Sequence, residues 1–488
     1  MQTKSLRLNF ALNTSRTVLN FLIPLVIFPY VSRVLGPGGT GKVEFANSIV
    51  SYFVLFTALG IPTYGIRETA RVRDDNIRRS ATVWELTLIL LCTAAVGYIA
   101  YGLMVLRVPV LRAQWLLFCI VAPNIALSDF SFEWFYQGIE NQTYITVRYI
   151  IIKVLQVLSV FLLIKQESHY LRYAAIYVGM NSISALFNIV HLRKYIRRVP
   201  RSDIHPARHI KSIIIIFGSI VATSIYMHLD VTMLGFFCGD ATVGIYAAAN
   251  RLVRIVISLV TALSAVVVPR LENCLVNGDE ENYRRYLNLS LHYILMISIP
   301  CCLGLVALAP DIIAIFAGSQ YAASVLTIRL LSPIVIIVGL AYFTGLQVLY
   351  PHRQEWKYTV SVSVAAVANA IFNALMIPRL AQDGAALGTV LAECVGLILQ
   401  LCFARAYLRE TDLFSLNTLR YVAAGAVMYV AVRFVPYSGG NVALHCAMGV
   451  AAAVLVYGAL LLLLREPLAV GLVRRVAGKI NSDFCRND

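Results

Sequence analysis

Fourteen apolar stretches, each 19 to 29 residues long, follow one another along this 488-residue chain. They run over 10–34, 43–66, 80–106, 113–137, 142–164, 171–192, 210–237, 242–268, 287–309, 321–349, 356–378, 384–408, 418–436 and 441–464. A helix needs about 20 apolar residues to cross the hydrocarbon core of a bilayer. Each stretch therefore predicts one membrane-spanning helix. No ten-residue pattern of alternating polarity appears, so a membrane barrel is excluded. Fourteen such spans use about 280 residues and leave about 208 for ends and connections, too few for a large soluble domain as well. Only 14% of the residues are charged, against about 25% in soluble domains.

The net charge of +16 points to basic loops facing anionic lipid rather than to nucleic acid. With the N-terminus taken as cytoplasmic, the segments assigned to the inside carry 28 Lys and Arg and those assigned to the outside carry 8. Such an asymmetry predicts that both termini are cytoplasmic and that the number of spans is even. The apolar stretch after Lys4 and Arg7 is interrupted by Asn13, Thr14, Ser15 and Arg16 and lacks a cleavage pattern, so it is expected to be a first span and not a removed leader. Ten cysteines lie mostly inside apolar runs and form no CxxC, so neither a zinc site nor a disulfide framework is indicated. His205 and His209 have helical spacing, but no further ligand type lies near them in sequence. No metal or other cofactor is expected.

The chain repeats itself. Gly41 to Asn47 opens the second stretch and Gly244 to Asn250 the eighth, both ending in Ala-Asn. Gln137 recurs as Gln347, and Ala174-Ala175 as Ala385-Ala386, at nearly the same offset. The predicted fold is therefore all-α and polytopic, with about 14 transmembrane helices. Two six-helix lobes related by a pseudo-two-fold axis (1–200 and 201–410) are followed by two additional helices and a tail (411–488). Paired helical bundles of this kind are an architecture of alternating-access transporters.

Gly36 to Lys42 has the spacing of a phosphate-binding loop, but Val43 stands where Ser or Thr is needed and no strand precedes it. It is expected to be a turn between helices. More telling are polar residues inside spans, because a charge at mid-bilayer costs about 2.5–3.5 kcal/mol even on the lenient insertion scale. They fall at helical spacing: Asn13, Arg16 and Asn20; Glu44, Asn47 and Ser51; Asn124, Ser128, Asp129 and Glu133; Tyr149, Lys153 and Gln156; Ser219, Thr223, Tyr226 and Asp230; Asn250, Arg251, Arg254, Ser258 and Thr261; Asn369 and Asn373. Such stripes face a wet cavity or glue helices together. Near the ends of spans, as for Arg16, Glu85 and Arg148, the two readings stay open. Pro24 and Pro29, five apart in the first stretch, predict a bend.

Several segments resemble bacterial polysaccharide flippases. They are Tyr30 to Val50, Leu59 to Arg71 with Asp74-Asp75, and Phe132 to Glu140, which reads Phe-Glu-Trp-Phe-Tyr-Gln-Gly-Ile-Glu. The chain is similar to the O-antigen and capsule repeat-unit flippases of the multidrug/oligosaccharidyl-lipid/polysaccharide exporter superfamily. The resemblance implies alternating access and translocation of undecaprenyl-pyrophosphate-linked oligosaccharide across a bacterial inner membrane. It implies no enzymatic activity and brings no residue-level motif.

The candidate cavity residues come from the stripes instead. Arg16, Lys153, Arg251, Arg254 and Arg329 are candidates for the pyrophosphate; Asn13, Asn20, Asn47, Asn250, Asn369 and Asn373 are candidates for the glycan. Asp129, Glu133 and Asp230 are candidates for ion coupling, with sodium coupling and simple facilitated flipping left open. The expected partners are the lipid-linked oligosaccharide, membrane lipids, and a polysaccharide polymerase with its chain-length machinery; a monomer suffices.

Two rivals share parts of this reading. A cation-coupled multidrug exporter of the same fold favours an acidic cavity, whereas acids and bases inside the spans are equal in number here. A membrane polymerase or ligase needs a sizeable outer loop, and the outer connections are short.

Overall fold

A computed structural model describes residues 6–471, except 263, 409–410, 412–414 and 437–439. No strand occurs among the described residues. The helices are α1 (Leu6–Ala58), α2 (Ile61–Arg71), α3 (Asn76–Arg107), α4 (Pro109–Ala113), α5 (Trp115–Val121), α6 (Pro123–Asp129), α7 (Glu133–Gly138), α8 (Gln142–Leu163), α9 (Tyr170–Leu192) and α10 (Ala207–Phe237). There follow α11 (Asp240–Thr261), α12 (Ser264–Val276), α13 (Glu280–Phe316), α14 (Ser324–Leu331), α15 (Ile334–Tyr342), α16 (Glu355–Ala404), α17 (Leu416–Arg433) and α18 (Val442–Leu463). A π-helical turn, Phe343–Leu349, continues α15.

Ten helical segments among the described residues are long and apolar enough to cross a membrane. Two of them, Leu22–Arg71 and Glu355–Ala404, are 50 residues long, too long for one crossing at 1.5 Å per residue. Each contains a backbone break: α1 turns at Gly36 (φ 65°, ψ 179°), and α16 at Ala381 (φ 49°, ψ −127°). Splitting them there, and counting α10 and α17, recovers the fourteen-helix architecture expected from the apolar pattern.

The breaks have local causes. Gly36 has a positive φ that costs little without a Cβ, and Pro37 then starts the next helical run with its missing N–H at a position that needs none. The expected bend at Pro24 and Pro29 is not where the backbone leaves helical geometry; within α1 that residue is Gly36. The second stretch does not run unbroken to 66 either. Leu59 and Gly60 both take positive φ, and α2 starts afresh at Ile61-Pro62. The fourth stretch is divided into α5, α6 and α7 by Pro123 at a helix start and by Phe132 in the left-handed region.

Contacts divide the chain into two compact units, Met1–Ala247 and Ala248–Asp488. In the first, α1 packs on α8 and α10, α2 on α7, and α8 on α9. Ile61, Tyr64, Leu86, Phe135 and Tyr136 fill one buried cluster, and Val31, Leu35, Val160 and Ile164 another. α10, placed by sequence in the second lobe, packs against α1 and α2, so the contact division falls inside α11. In the second unit α17 and α18 pack on each other and on α13.

Proline leaves the carbonyl four residues back without its helical donor. α13 contains Pro300 and Pro310, and side chains repair both sites. The Tyr457 hydroxyl donates to the Met296 carbonyl at 2.9 Å, and Arg329 Nε donates to the Val306 carbonyl at 3.3 Å.

Candidate functional site

The first unit gathers charge on three of its helices. Arg16 comes from α1, Glu133 from the first turn of α7, and Arg148, Tyr149 and Lys153 from successive turns of α8. Arg16 is ion-paired with one Glu133 oxygen, and Arg148 lies 3.4 Å from the other. Arg148 also reaches the Ser184 carbonyl of α9 at 3.4 Å. Lys153 Nζ donates to Gln156 Oε1 at 2.8 Å and lies 5.7 and 5.9 Å from the ring centres of Tyr149 and Tyr177. The Arg16 guanidinium stands 5.5 Å from the Tyr149 ring. Two cations thus hold one carboxylate, and a third, Lys153, shares the Tyr149 ring with Arg16. Rings alongside cations help to offset their desolvation, but the group keeps a surplus of positive charge. Arginine, with its planar fork, and lysine, a point charge, are the residues that bind phosphate oxygens. Tyrosine and amide groups suit sugar hydroxyls.

The structure brings together only part of the sequence-derived set. Arg16 and Glu133 meet, with Arg148 as a third member whose place near the end of its span left its role open, and Lys153 lies by the Tyr149 ring that Arg16 also faces. Asn47 is half-buried on the part of α1 beyond Gly36. The side chains of Asn13, Asn20, Ser219 and Thr223, and all of Lys4, lie outside the described residues. Asn250 and Arg251 are half-buried and Arg254 is exposed, on the part of α11 that belongs to the second unit.

Two of the candidates have structural contacts. Arg329 Nε donates to the Val306 carbonyl, the one freed by Pro310, at 3.3 Å. Asn369 and Asn373 are fully buried and joined to each other at 3.2 Å, with Gly388 of the same helix packed over Asn373. They hold the two halves of α16 together and present no surface to a cargo. Nothing in sequence alone separates such glue from a cavity lining, because both produce a stripe.

The acids differ from one another. Asp129, at the end of α6, is 2% exposed, and neither carboxylate oxygen has a hydrogen-bond partner among the described residues. Asp230 on α10 accepts a short hydrogen bond from the Tyr246 hydroxyl of α11. Glu133 is held by the two arginines. Glu85, treated from sequence only as an acid near a span end, is fully buried in α3 and ties down the segment before α10. It accepts from His205 N at 2.7 Å, from Arg208 at 2.6 Å and meets His209 Nε2 at 2.8 Å. The other His209 nitrogen meets the Tyr64 hydroxyl at 2.6 Å, so this histidine is a structural link and not half of a metal pair. Among the described residues no three His, Cys, Asp or Glu come together as a metal site.

At the opposite end of the unit the repeated glycines face one another's turns. A Cβ on Gly41 would fall 1.7 Å from the Asp240 carbonyl oxygen, and one on Gly244 would fall 2.1 Å from that of Pro37. The contact is reciprocal, as it is when two copies of one motif meet across a two-fold axis. The turn read from Gly36 to Lys42 is thus a close helix–helix approach.

A helical bundle of this length and apolarity is that of a multi-pass membrane protein. Its fold matches solved structures under 25% identical in sequence. A structure described as "Lipid II flippase MurJ, inward closed conformation" superimposes with a TM-score of 0.74 at 15% identity, covering 94% of this chain and 99% of that one. An inward-facing multidrug resistance MATE family transporter of the MOP superfamily gives 0.64 at 14% identity, covering 81% and 96%. The chain belongs to the polysaccharide biosynthesis protein family, whose model matches residues 6–274; a second family model, described as lipid II flippase MurJ, matches residues 148–445. Among relatives, an Escherichia coli K12 protein with the description "Putative O-antigen transporter" is 23% identical over 79% of this chain and 93% of its own length. Lipid II flippase MurJ of Bacillus subtilis is 23% identical over 42% of this chain and 40% of its own length.

Proposed function

We propose that this protein moves undecaprenyl-pyrophosphate-linked oligosaccharide repeat units across a bacterial inner membrane, by alternating access, for O-antigen, capsule or another surface polysaccharide. The observation that carries the reading is the pair of arginines, Arg16 and Arg148, on the single carboxylate Glu133, with Lys153 beside the Tyr149 ring that Arg16 also faces. An anionic pyrophosphate would complete the charge balance, and Tyr149, Tyr177 and nearby amides would meet the first sugars. The apolar tail stays in lipid throughout. Both termini are cytoplasmic in this reading, from the distribution of Lys and Arg.

An inside-negative potential favours outward movement of an anionic head by about 2.3 kcal/mol per charge per 100 mV. Returning the empty carrier is then the step that a proton would drive, and Asp129 is the acid built for it. A buried carboxylate without partners is costly to ionise, so it alternates between a protonated, closed environment and an open one.

Reconstituted vesicles test the reading. Purified protein is expected to expose a fluorescent lipid-linked oligosaccharide to an impermeant lectin on the opposite face, with Lys153→Ala slowing this much more than Lys153→Arg. Cation efflux without lipid-linked sugar movement would instead establish the multidrug exporter. A new glycosidic bond would establish a polymerase. Either result overturns the proposal.

A further inference from the structure

A second anion-binding arrangement lies on the flank of the first unit, apart from the interior charge group except for one shared residue. It is a 470 Å³ cavity between α8 and α9, at the ends of both helices that the charge bias assigns to the cytoplasm. One wall is aromatic. The His191 ring stacks on Tyr144 at 4.0 Å and 22° and on Tyr136 at 5.6 Å and 20°. The other wall is apolar and open: Val147, Ile151 and Phe187 line the cavity and are about half exposed.

The polar groups of the cavity are unfinished. Arg148 is 8% exposed and lines it, and its Nε–H has no hydrogen-bond partner. Neither has His191 Nδ1 nor Thr143 Oγ1, which line the same cavity and are likewise shielded from solvent. Buried polar atoms are nearly always paired, and leaving one unpaired costs about 1–3 kcal/mol. Three together around one cavity call for a ligand. Beyond His191 the exposed Arg193, Lys194, Arg197 and Arg198 add positive charge at the same end.

We propose that this cavity binds the phosphate of an anionic glycerophospholipid from the cytoplasmic leaflet, with Arg148 Nε, His191 and Thr143 holding the head and an acyl chain lying along Val147, Ile151 and Phe187. Free phosphate would leave the apolar wall uncovered. A lipid-linked glycan would bring many hydroxyls to a cavity with few polar groups. The site also reaches inward, because the terminal nitrogens of Arg148 are those near Glu133 and the Ser184 carbonyl. A phosphate on Nε competes with Glu133 for that guanidinium and leaves the carboxylate to Arg16. Lipid bound outside thus adjusts the charge group inside. The inference stands whether or not the interior group takes a pyrophosphate.

The test is native mass spectrometry of the full-length protein in detergent, with dioleoyl phosphatidylglycerol and dioleoyl phosphatidylcholine added in turn. One phosphatidylglycerol is expected to be retained in preference to phosphatidylcholine. Arg148→Gln is expected to weaken that retention about ten-fold, the value of one charge-assisted hydrogen bond. His191→Gln, at a partly exposed position, is expected to weaken it less and serves if Arg148→Gln does not fold. Equal retention of both lipids, or full retention in His191→Gln with Arg148→Gln folded and unchanged, would overturn the site. Displacement of the lipid by inorganic phosphate alone would make it a free-phosphate site. Displacement by a polyprenyl pyrophosphate at equal concentration would make it a docking point for cargo. Each of these also overturns the proposal.

Discussion

The reciprocal contact of Gly41 and Gly244 offers the sharpest test of how this molecule closes. In Gly41→Ala the new methyl would lie 1.7 Å from the Asp240 carbonyl oxygen and 2.8 Å from Gly244 N. Carbon and carbonyl oxygen do not approach closer than about 3.3 Å even in favourable C–H···O contacts. The start of α11 must therefore retreat from α1 by about 1.5 Å, and what blocks it is backbone, which no rotamer change can move aside. Overpacking of a close contact costs about 1–3 kcal/mol. If that cost falls only on the arrangement in which α1 and α11 touch, the population with this end parted rises about five- to 150-fold, since 1.4 kcal/mol is a factor of ten. Ala46, fully buried one turn along, serves as the reporter. In a chain with its native cysteines replaced by alanine, Ala46→Cys is expected to react with an impermeant maleimide at least about five times faster when Gly41→Ala is present. Gly102→Ala meets nothing within 4 Å and is expected to leave the rate unchanged. An unchanged rate in Gly41→Ala, with an unchanged melting temperature, would refute the reasoning, because the methyl would then have been accommodated without parting the helices.

Ala381 holds φ 49° and ψ −127° inside α16, a conformation that costs a residue with a Cβ about 1–3 kcal/mol; Ala381→Gly is expected to raise the melting temperature in detergent, and a fall would mean that the strain is absent. Tyr457→Phe removes the donor to the Met296 carbonyl beside Pro300 and is expected to cost about 1 kcal/mol, measured by thermal unfolding, with transport rate per folded molecule unchanged. Asp129→Asn keeps the shape of the buried acid but cannot exchange a proton. It is expected to abolish the response of vesicle export to an imposed pH gradient at fixed voltage while leaving gradient-free movement in place. A full response in the variant would remove Asp129 from coupling.

Length and apolarity made the helices legible, because a bilayer sets one distance that each must span. The doubled Gly-to-Asn motif likewise marked a real contact: glycine is what lets two backbones meet, and the meeting occurs at Gly41 and Gly244. The breaks within stretches were less visible. Leu59 and Phe132 adopt positive φ without being glycine, and the π turn at Phe343–Leu349 follows α15 without a proline in the turn itself; hydropathy averages over such single-residue events. Pro24 and Pro29 keep helical dihedrals, which a proline kink does not have to leave, and the break in dihedrals falls at Gly36. In the interior, a polar side chain in a span announces that it has a partner without saying which. Arg16 lies with Arg148 on Glu133, and Lys153 lies beside Tyr149 and Tyr177. Arg329, equally conspicuous, answers a carbonyl that Pro310 left bare twenty-three residues away. Glu85 needed the fold to show that its partners are the histidine and arginine of a distant connection.

The manner in which α13 is completed has a consequence for how the chain is made. Asp311, on that helix, lies 2.8 Å from His445 of α18, 134 residues later, and the Met296 carbonyl finds Tyr457 161 residues later. A ribosome adding about 5–20 residues per second takes roughly 7–27 s to pass from the first of these partners to the second. During that interval α13 sits in or beside the translocon with an acid and an open carbonyl that later sequence will satisfy. An insertion chaperone or the translocon wall has to shelter it until α17 and α18 arrive. Ribosomes stalled between residues 380 and 440 would therefore carry a nascent chain that still cross-links to the insertion machinery through α13, and release would come only with the last two helices.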